Sequence, residues 1–122
     1  MSAPRRFVLL RHTGHGTTHF DFMIEDDAAL ATWQFDESPA LLALGGVLTC
    51  RRLAAHRTAY LDYEGPISDG RGNVQRDDRG TCHVIRATDT RWELEISGMQ
   101  LRNRFVLSRD DGTSIAWKLS HG

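Results

Sequence analysis

Between His19 and Glu25 the chain reads HFDFMIE, with His19, Asp21, Met23 and Glu25 alternating against Phe20, Phe22 and Ile24. Side chains two apart in a strand share a face. The stretch is therefore expected to be a β-strand, with His19 and Asp21 side by side above a face anchored by phenylalanines. An apolar run, Phe7 to Leu10, precedes it and leads into Arg11-His12; a turn rich in Gly and Thr, holding His15, lies between. Gly14, Gly16, Thr17 and Thr18 argue against a helix through this turn. The spacing of His12, His15 and His19 is thus not one helical face. An imidazole and a carboxylate on one strand face can bind a divalent metal, and His12, at the end of the preceding strand, can close over the same point as a third ligand.

The rest of the chain is consistent with a strand-rich domain. Its 122 residues suit one domain spanning 1–122, and 40% hydrophobic residues suffice for an ordinary core. A net charge of −1 gives no global field for a polyanion, so contact with nucleic acid must come from a local cluster. Arg51-Arg52 with His56-Arg57 is the candidate, and Arg71, Arg76 and Arg79 lie further on. Cys50 and Cys82 lack CxxC spacing and are expected as buried thiols in a reducing cytosol. The opening MSAPRR lacks a signal-peptide apolar region, and no run approaches a membrane span, so the expected location is cytoplasmic, with no membrane partner.

Further strands are expected at Ala28 to Phe35, Val47 to Leu53, Arg91 to Ser97, Phe105 to Ser108 and Ile115 to Leu119, the last two flanking an Asp111-Gly112 turn. Val74 to Arg76 and Cys82 to Ala87 read as two strands flanking a DDRG turn. Ser38-Pro39 before ALLAL and Gly45-Gly46 is the best helix signal, with Ser38 as N-cap. Ala54 to Tyr63 is ambiguous, and Ser68 to Asn73 is a loop. Many short strands with one weak helix indicate a mainly β fold, an antiparallel barrel or sandwich with one or two short flanking helices. Trp33, Trp92 and Trp117 read as core rather than base-stacking platforms, and His121 as a frayed end without a role.

Taken in order, FVLLRH, HFDFMIE, Leu30 with Trp33, the spaced set His56, Tyr60, Glu64 and Gly65, and the tail RFVLSR with AWKL resemble the 3′-phosphoesterase domain of bacterial DNA ligase D. That family reads approximately FVxxKH, LHYDFRLE, EDHPxxYxxFEGxIPxGxYG and WLLxK along its length. The resemblance covers nearly the whole chain. It implies a barrel-like β fold and manganese-dependent removal of 3′-phosphates and 3′-terminal ribonucleotides from DNA ends in end-joining repair. It also implies a metal held by His12, His19 and Asp21, with His56 and Tyr60 as catalytic residues. The chain departs from the pattern at several points. His12 lies seven residues before His19 rather than six, which leaves His15 as a competitor for the same role. Met23 replaces an arginine, Glu37 a lysine and Ala54 an acidic residue, the loop after Gly65 is shorter, and MSAPRR stands for a longer extension.

Two histidines and a carboxylate suit Mn²⁺ best under this resemblance, with Zn²⁺ or Fe²⁺ compatible with the donors. Such a metal polarises a phosphoryl oxygen and activates water, while His56 protonates the leaving oxygen or stabilises the phosphate. Arg52, Arg57 and Arg11 are the candidates to replace the missing arginine, Arg52 being the expected phosphate-binding residue. The expected partners are nucleic-acid 3′ ends and end-joining repair proteins. Two other readings stand beside this one. Met23 and Glu37 suit a module that keeps the metal site and binds DNA ends or a repair partner without turnover. The altered shell also suits an enzyme for a different phosphate ester.

Overall fold

The computed structural model describes residues 3–122, so the first two residues of MSAPRR lie outside it. Nine strands form one antiparallel sheet: β1 Arg5–Thr13, β2 His19–Asp26, β3 Ala29–Phe35, β4 Val47–His56, β5 Gly65–Pro66, β6 Asn73–Ala87, β7 Arg91–Gly98, β8 Arg102–Ser108 and β9 Ala116–His121. The order is β1-β2-β3-β4-β9-β8-β7-β6, with the two-residue β5 beside β6, and pairing of β1 with β6 closes an eight-stranded barrel. Closure leaves no open sheet edge among the eight long strands. The mainly β barrel expected from the sequence is the fold observed.

Alternation explains what fills the barrel. Phe7 and Leu9 of β1, Phe22 and Ile24 of β2, and Trp33 and Phe35 of β3 join Trp92, Leu94, Leu107 and Trp117 in the main core. Trp33 packs edge-on against Trp92 and Trp117, with centroids 5.0 and 5.8 Å away, an arrangement favoured by the ring quadrupoles. All three tryptophans are core, as expected. Cys50 and Cys82 are buried and unbridged, and burial pushes each thiol up to about 12, so both stay protonated and unreactive.

The opposite rows of the first strands are also covered. Val8 and Leu10 of β1, Met23 of β2 and Leu30 of β3 form a second cluster outside the barrel with Leu61 and Val74, and Tyr60 and Ile67 pack against it. The segment after β4 lies over this wall and contains a single 3₁₀ turn, Thr58–Leu61. The ambiguous Ala54–Tyr63 stretch is thus the end of a strand followed by a turn. The wall matters because His12 continues the Val8–Leu10 row and His19 and Asp21 precede Met23 in the same face.

Three expectations are corrected. The helix expected after Ser38 is one 3₁₀ turn, Pro39–Leu41, capped by Ser38 Oγ accepting from Ala40 N at 3.3 Å. Leu41 and Leu44 are 82% and 86% exposed, and Leu42 alone of the three leucines packs on the core, so the run lacks the apolar face that would extend it as a helix. The DDRG turn does not exist: residues 77–80 lie inside β6, paired with β1. Cross-strand pairing overrides the local turn composition there, with a register shift opposite Leu9 and Leu10. His121 is not frayed. It ends β9, packs on Phe105 with centroids 4.6 Å apart, and its Nε2 donates to Leu42 O at 3.0 Å.

Candidate metal centre

The β1–β2 hairpin brings the candidate ligands together. His12 and His19 are direct cross-strand partners, and Leu10 faces Asp21. His12, His19 and Asp21 therefore project from one face, with ligand atoms all within 4.8 Å of one another. His12 Nδ1 lies 3.0 Å from His19 Nε2, and His19 Nε2 lies 3.6 Å from Asp21 Oδ2. His15 is exposed in the turn, its ring 6.2 Å from that of His12. The geometry gathers His12 rather than His15.

The outer hydrogen bonds fix which nitrogens face inward. His12 Nε2 donates to Arg71 O at 2.6 Å, and His19 Nδ1 donates to Thr17 O at 3.3 Å. A carbonyl only accepts, so these outer nitrogens carry the protons. In that tautomer the facing nitrogens, 3.0 Å apart, both present lone pairs able to ligate one cation. Asp21 is 5% exposed, and its Oδ1 has no hydrogen-bond partner among the described residues. Burial raises the Asp21 carboxyl above its usual range, while His19, His56, Gln34 and His12 pull it back. Two lone pairs and an unpartnered buried carboxylate oxygen fit a divalent ion of the Mn²⁺, Zn²⁺ or Fe²⁺ type. In the metal-free protein the same group is a liability. Asp21→Asn is expected to raise the metal-free melting temperature by about 4 °C, the scale of relieving about 1 kcal/mol, while weakening metal binding; differential scanning fluorimetry with and without metal reads both effects.

A cavity of about 290 Å³ opens over the three ligands and is also lined by Gln34, His56, Tyr60 and Arg71. His56 closes β4 opposite Leu30. Its Nδ1 donates to Ala54 O at 3.0 Å, which leaves Nε2 as the nitrogen able to exchange a proton with a ligand. Tyr60 stands in the 3₁₀ turn, its ring centroid 6.0 Å from that of His56. Met23 is buried in the cavity floor and contributes no charge.

Arg52 is not part of this assembly. It projects from the other face of β4, its guanidinium 4.9 and 5.1 Å from the rings of Trp33 and Trp92, and lines a separate cavity with Arg109 and Trp117. The tryptophan faces hold the cation there, so the expected phosphate contact from Arg52 is not formed at the triad. Arg11 sits in the barrel-side row of β1, opposite His12. Arg71 is the one arginine among the described residues that lines the cavity. From sequence it is a loop residue, one of three arginines beyond the main basic cluster. Its signal is the flanking glycine pair: Gly72 has φ +87°, and a Cβ there would lie 2.1 Å from Thr13 O. Only glycine lets this loop press against the end of β1, which places Arg71 beside His12. Gln34 was missed because it is an ordinary polar strand residue.

The site is thus a His-His-Asp cluster on the outer wall of a closed β-barrel, faced by a histidine and a tyrosine from a distant segment. The sequence model of the DNA ligase D 3′-phosphoesterase domain matches residues 11–109, and the chain belongs to that family. A search of curated proteins finds no match.

Proposed function

We propose that the protein is a metal-dependent phosphoesterase that removes 3′-phosphates or 3′-terminal ribonucleotides from DNA ends, with Mn²⁺ and in company with end-joining repair proteins. One observation carries the reading: His56 and Tyr60, from the segment after β4, line the same cavity as His12, His19 and Asp21. A divalent ion held by those three supplies positive charge at a phosphoryl oxygen and lowers the pKa of a nearby water. The chain's own groups do the rest. Hydrolysis joins a water oxygen to phosphorus and breaks the bond to the 3′ oxygen, which needs a proton to leave as a hydroxyl. Protonated His56 gives that proton through Nε2. The Tyr60 hydroxyl donates to a phosphoryl oxygen, and the apolar floor of Leu10, Met23 and Val74 keeps bulk water from screening the charges.

Arg71 takes the phosphate-gripping role that Met23 vacates. Its Nε and Nη2 bond Ser68 O and Oγ at 2.9 and 3.1 Å, which holds the guanidinium at the cavity rim with further donors free. Purified protein with Mn²⁺ is expected to release phosphate from a 3′-phosphorylated primer, and Arg71→Ala to lower kcat/KM by about 10²-fold. Wild-type protein that leaves the primer intact with every divalent metal would overturn the proposal. Met23 favours a second reading, a DNA-end-binding module without turnover. That reading predicts salt-sensitive, end-dependent binding and no phosphate release.

A further inference from the structure

A second cavity, about 310 Å³, adjoins the metal cavity and shares Tyr60, Ile67 and Arg71 with it. Its volume falls at the lower end of small-ligand clefts, about 300–1,000 Å³. Arg57 and Tyr63 complete its functional lining, and none of its lining residues is acidic. In a chain whose net charge is −1, a cleft with two guanidinium groups and no carboxylate is a local anion attractor. Arg57 makes no side-chain hydrogen bond or ion pair among the described residues, so all its donors are available.

The aromatic wall is held in position. The Tyr63 hydroxyl donates to Pro66 O, and its ring stands edge-on to Tyr60 at 6.2 Å and 82°. Gly65, at φ +135°, permits that contact: a Cβ there would lie 3.2 Å from the Tyr63 hydroxyl. With its hydroxyl engaged and the residue 39% exposed, Tyr63 offers a ring face rather than a hydrogen bond. A cationic groove with a fixed aromatic ring is the combination that holds single-stranded nucleic acid.

We infer that this cleft is the subsite for the nucleotide preceding the processed 3′ terminus: Arg57 pairs with its phosphodiester and Tyr63 stacks on its base, while Arg71, at the rim shared with the metal cavity, stays on the terminal phosphate. The assignment rests on the 3′-end phosphoesterase reading. Stacking on Tyr63 requires an unpaired base, so the preferred substrate is a single-stranded or frayed 3′ end at least two nucleotides long.

The test compares a 3′-phosphorylated tetranucleotide with thymidine 3′-monophosphate, which has no preceding phosphodiester, using full-length protein and Mn²⁺. Arg57 is exposed, so Arg57→Ala is not expected to disturb folding. The ratio of kcat/KM for tetranucleotide over monophosphate is expected to fall about tenfold in Arg57→Ala, mainly through KM. Fluorescence anisotropy with a labelled tetranucleotide should show a matching rise in Kd and a salt slope smaller by about one. Turnover of both substrates with an unchanged ratio overturns the subsite and leaves the phosphoesterase reading intact. Absence of turnover on both substrates overturns the phosphoesterase reading, and the anisotropy result then decides whether the cleft binds the nucleotide, an unchanged Kd and slope rejecting it.

Discussion

His19→Ala is expected to lower 3′-phosphate release by about 10³-fold or more, close to complete loss, with little change in thermal stability. Two effects combine. The substitution removes one of two nitrogen donors, and it strands Asp21, whose nearest partner is His19 Nε2 at 3.6 Å. A metal left with one histidine and one carboxylate is held far more weakly. Stability changes little because His19 is half-buried on the barrel's outer wall, outside the main core, and its contacts beyond the His12–Asp21 cluster are limited to the long bond to Thr17 O. Colorimetric phosphate assay and metal titration read the loss, and circular dichroism on the same sample reads the fold. Retained activity would place the chemistry elsewhere.

Asp78→Ala is expected to do the opposite. Asp78 is buried in β6, and its carboxylate accepts four backbone N–H groups: Arg79 N at 2.8 Å, Met99 N at 2.8 Å, Gln100 N at 3.0 Å and Leu101 N at 2.7 Å. The last three belong to the connection between β7 and β8, so one side chain ties that turn to the strand that closes the barrel. Alanine leaves those donors without their acceptor. The expected cost is about 3–5 kcal/mol, read as a fall in melting temperature on the order of 15 °C. The fraction still folded should keep its metal affinity, because no ligand touches Asp78. His19→Ala therefore separates function from stability in one direction, and Asp78→Ala in the other.

The barrel was legible because its strands carry their own pattern. In HFDFMIE the alternation alone separates the core face, Phe22 and Ile24, from the face bearing His19 and Asp21. The triad was legible for the same reason, with His12 placed by its position at the end of the preceding strand, while the family spacing left His15 open as a competitor. Arg52 was misplaced because neighbours in a strand point to opposite faces. The Arg51-Arg52 pair looked like one basic cluster, yet Arg51 bonds Gln34 Oε1 at 2.9 Å while Arg52 lies on Trp33 and Trp92. Asp77 and Asp78 looked like a turn because their composition is that of one. Their strand placement depends on pairing with β1 and on N–H groups more than twenty residues away, which local composition cannot express. Arg71 escaped for a related reason: its place beside His12 is set by the close approach of Gly72 to Thr13.

His12, His19 and Asp21 are proposed to hold one divalent ion. Pulsed electron paramagnetic resonance of the Mn²⁺-loaded protein addresses this assignment most directly. One bound ion per chain is expected, with nitrogen couplings from two imidazoles, one of which disappears in His12→Ala while His15→Ala leaves both. A spectrum of fully hydrated Mn²⁺, or couplings that vanish with His15 rather than His12, would contradict it.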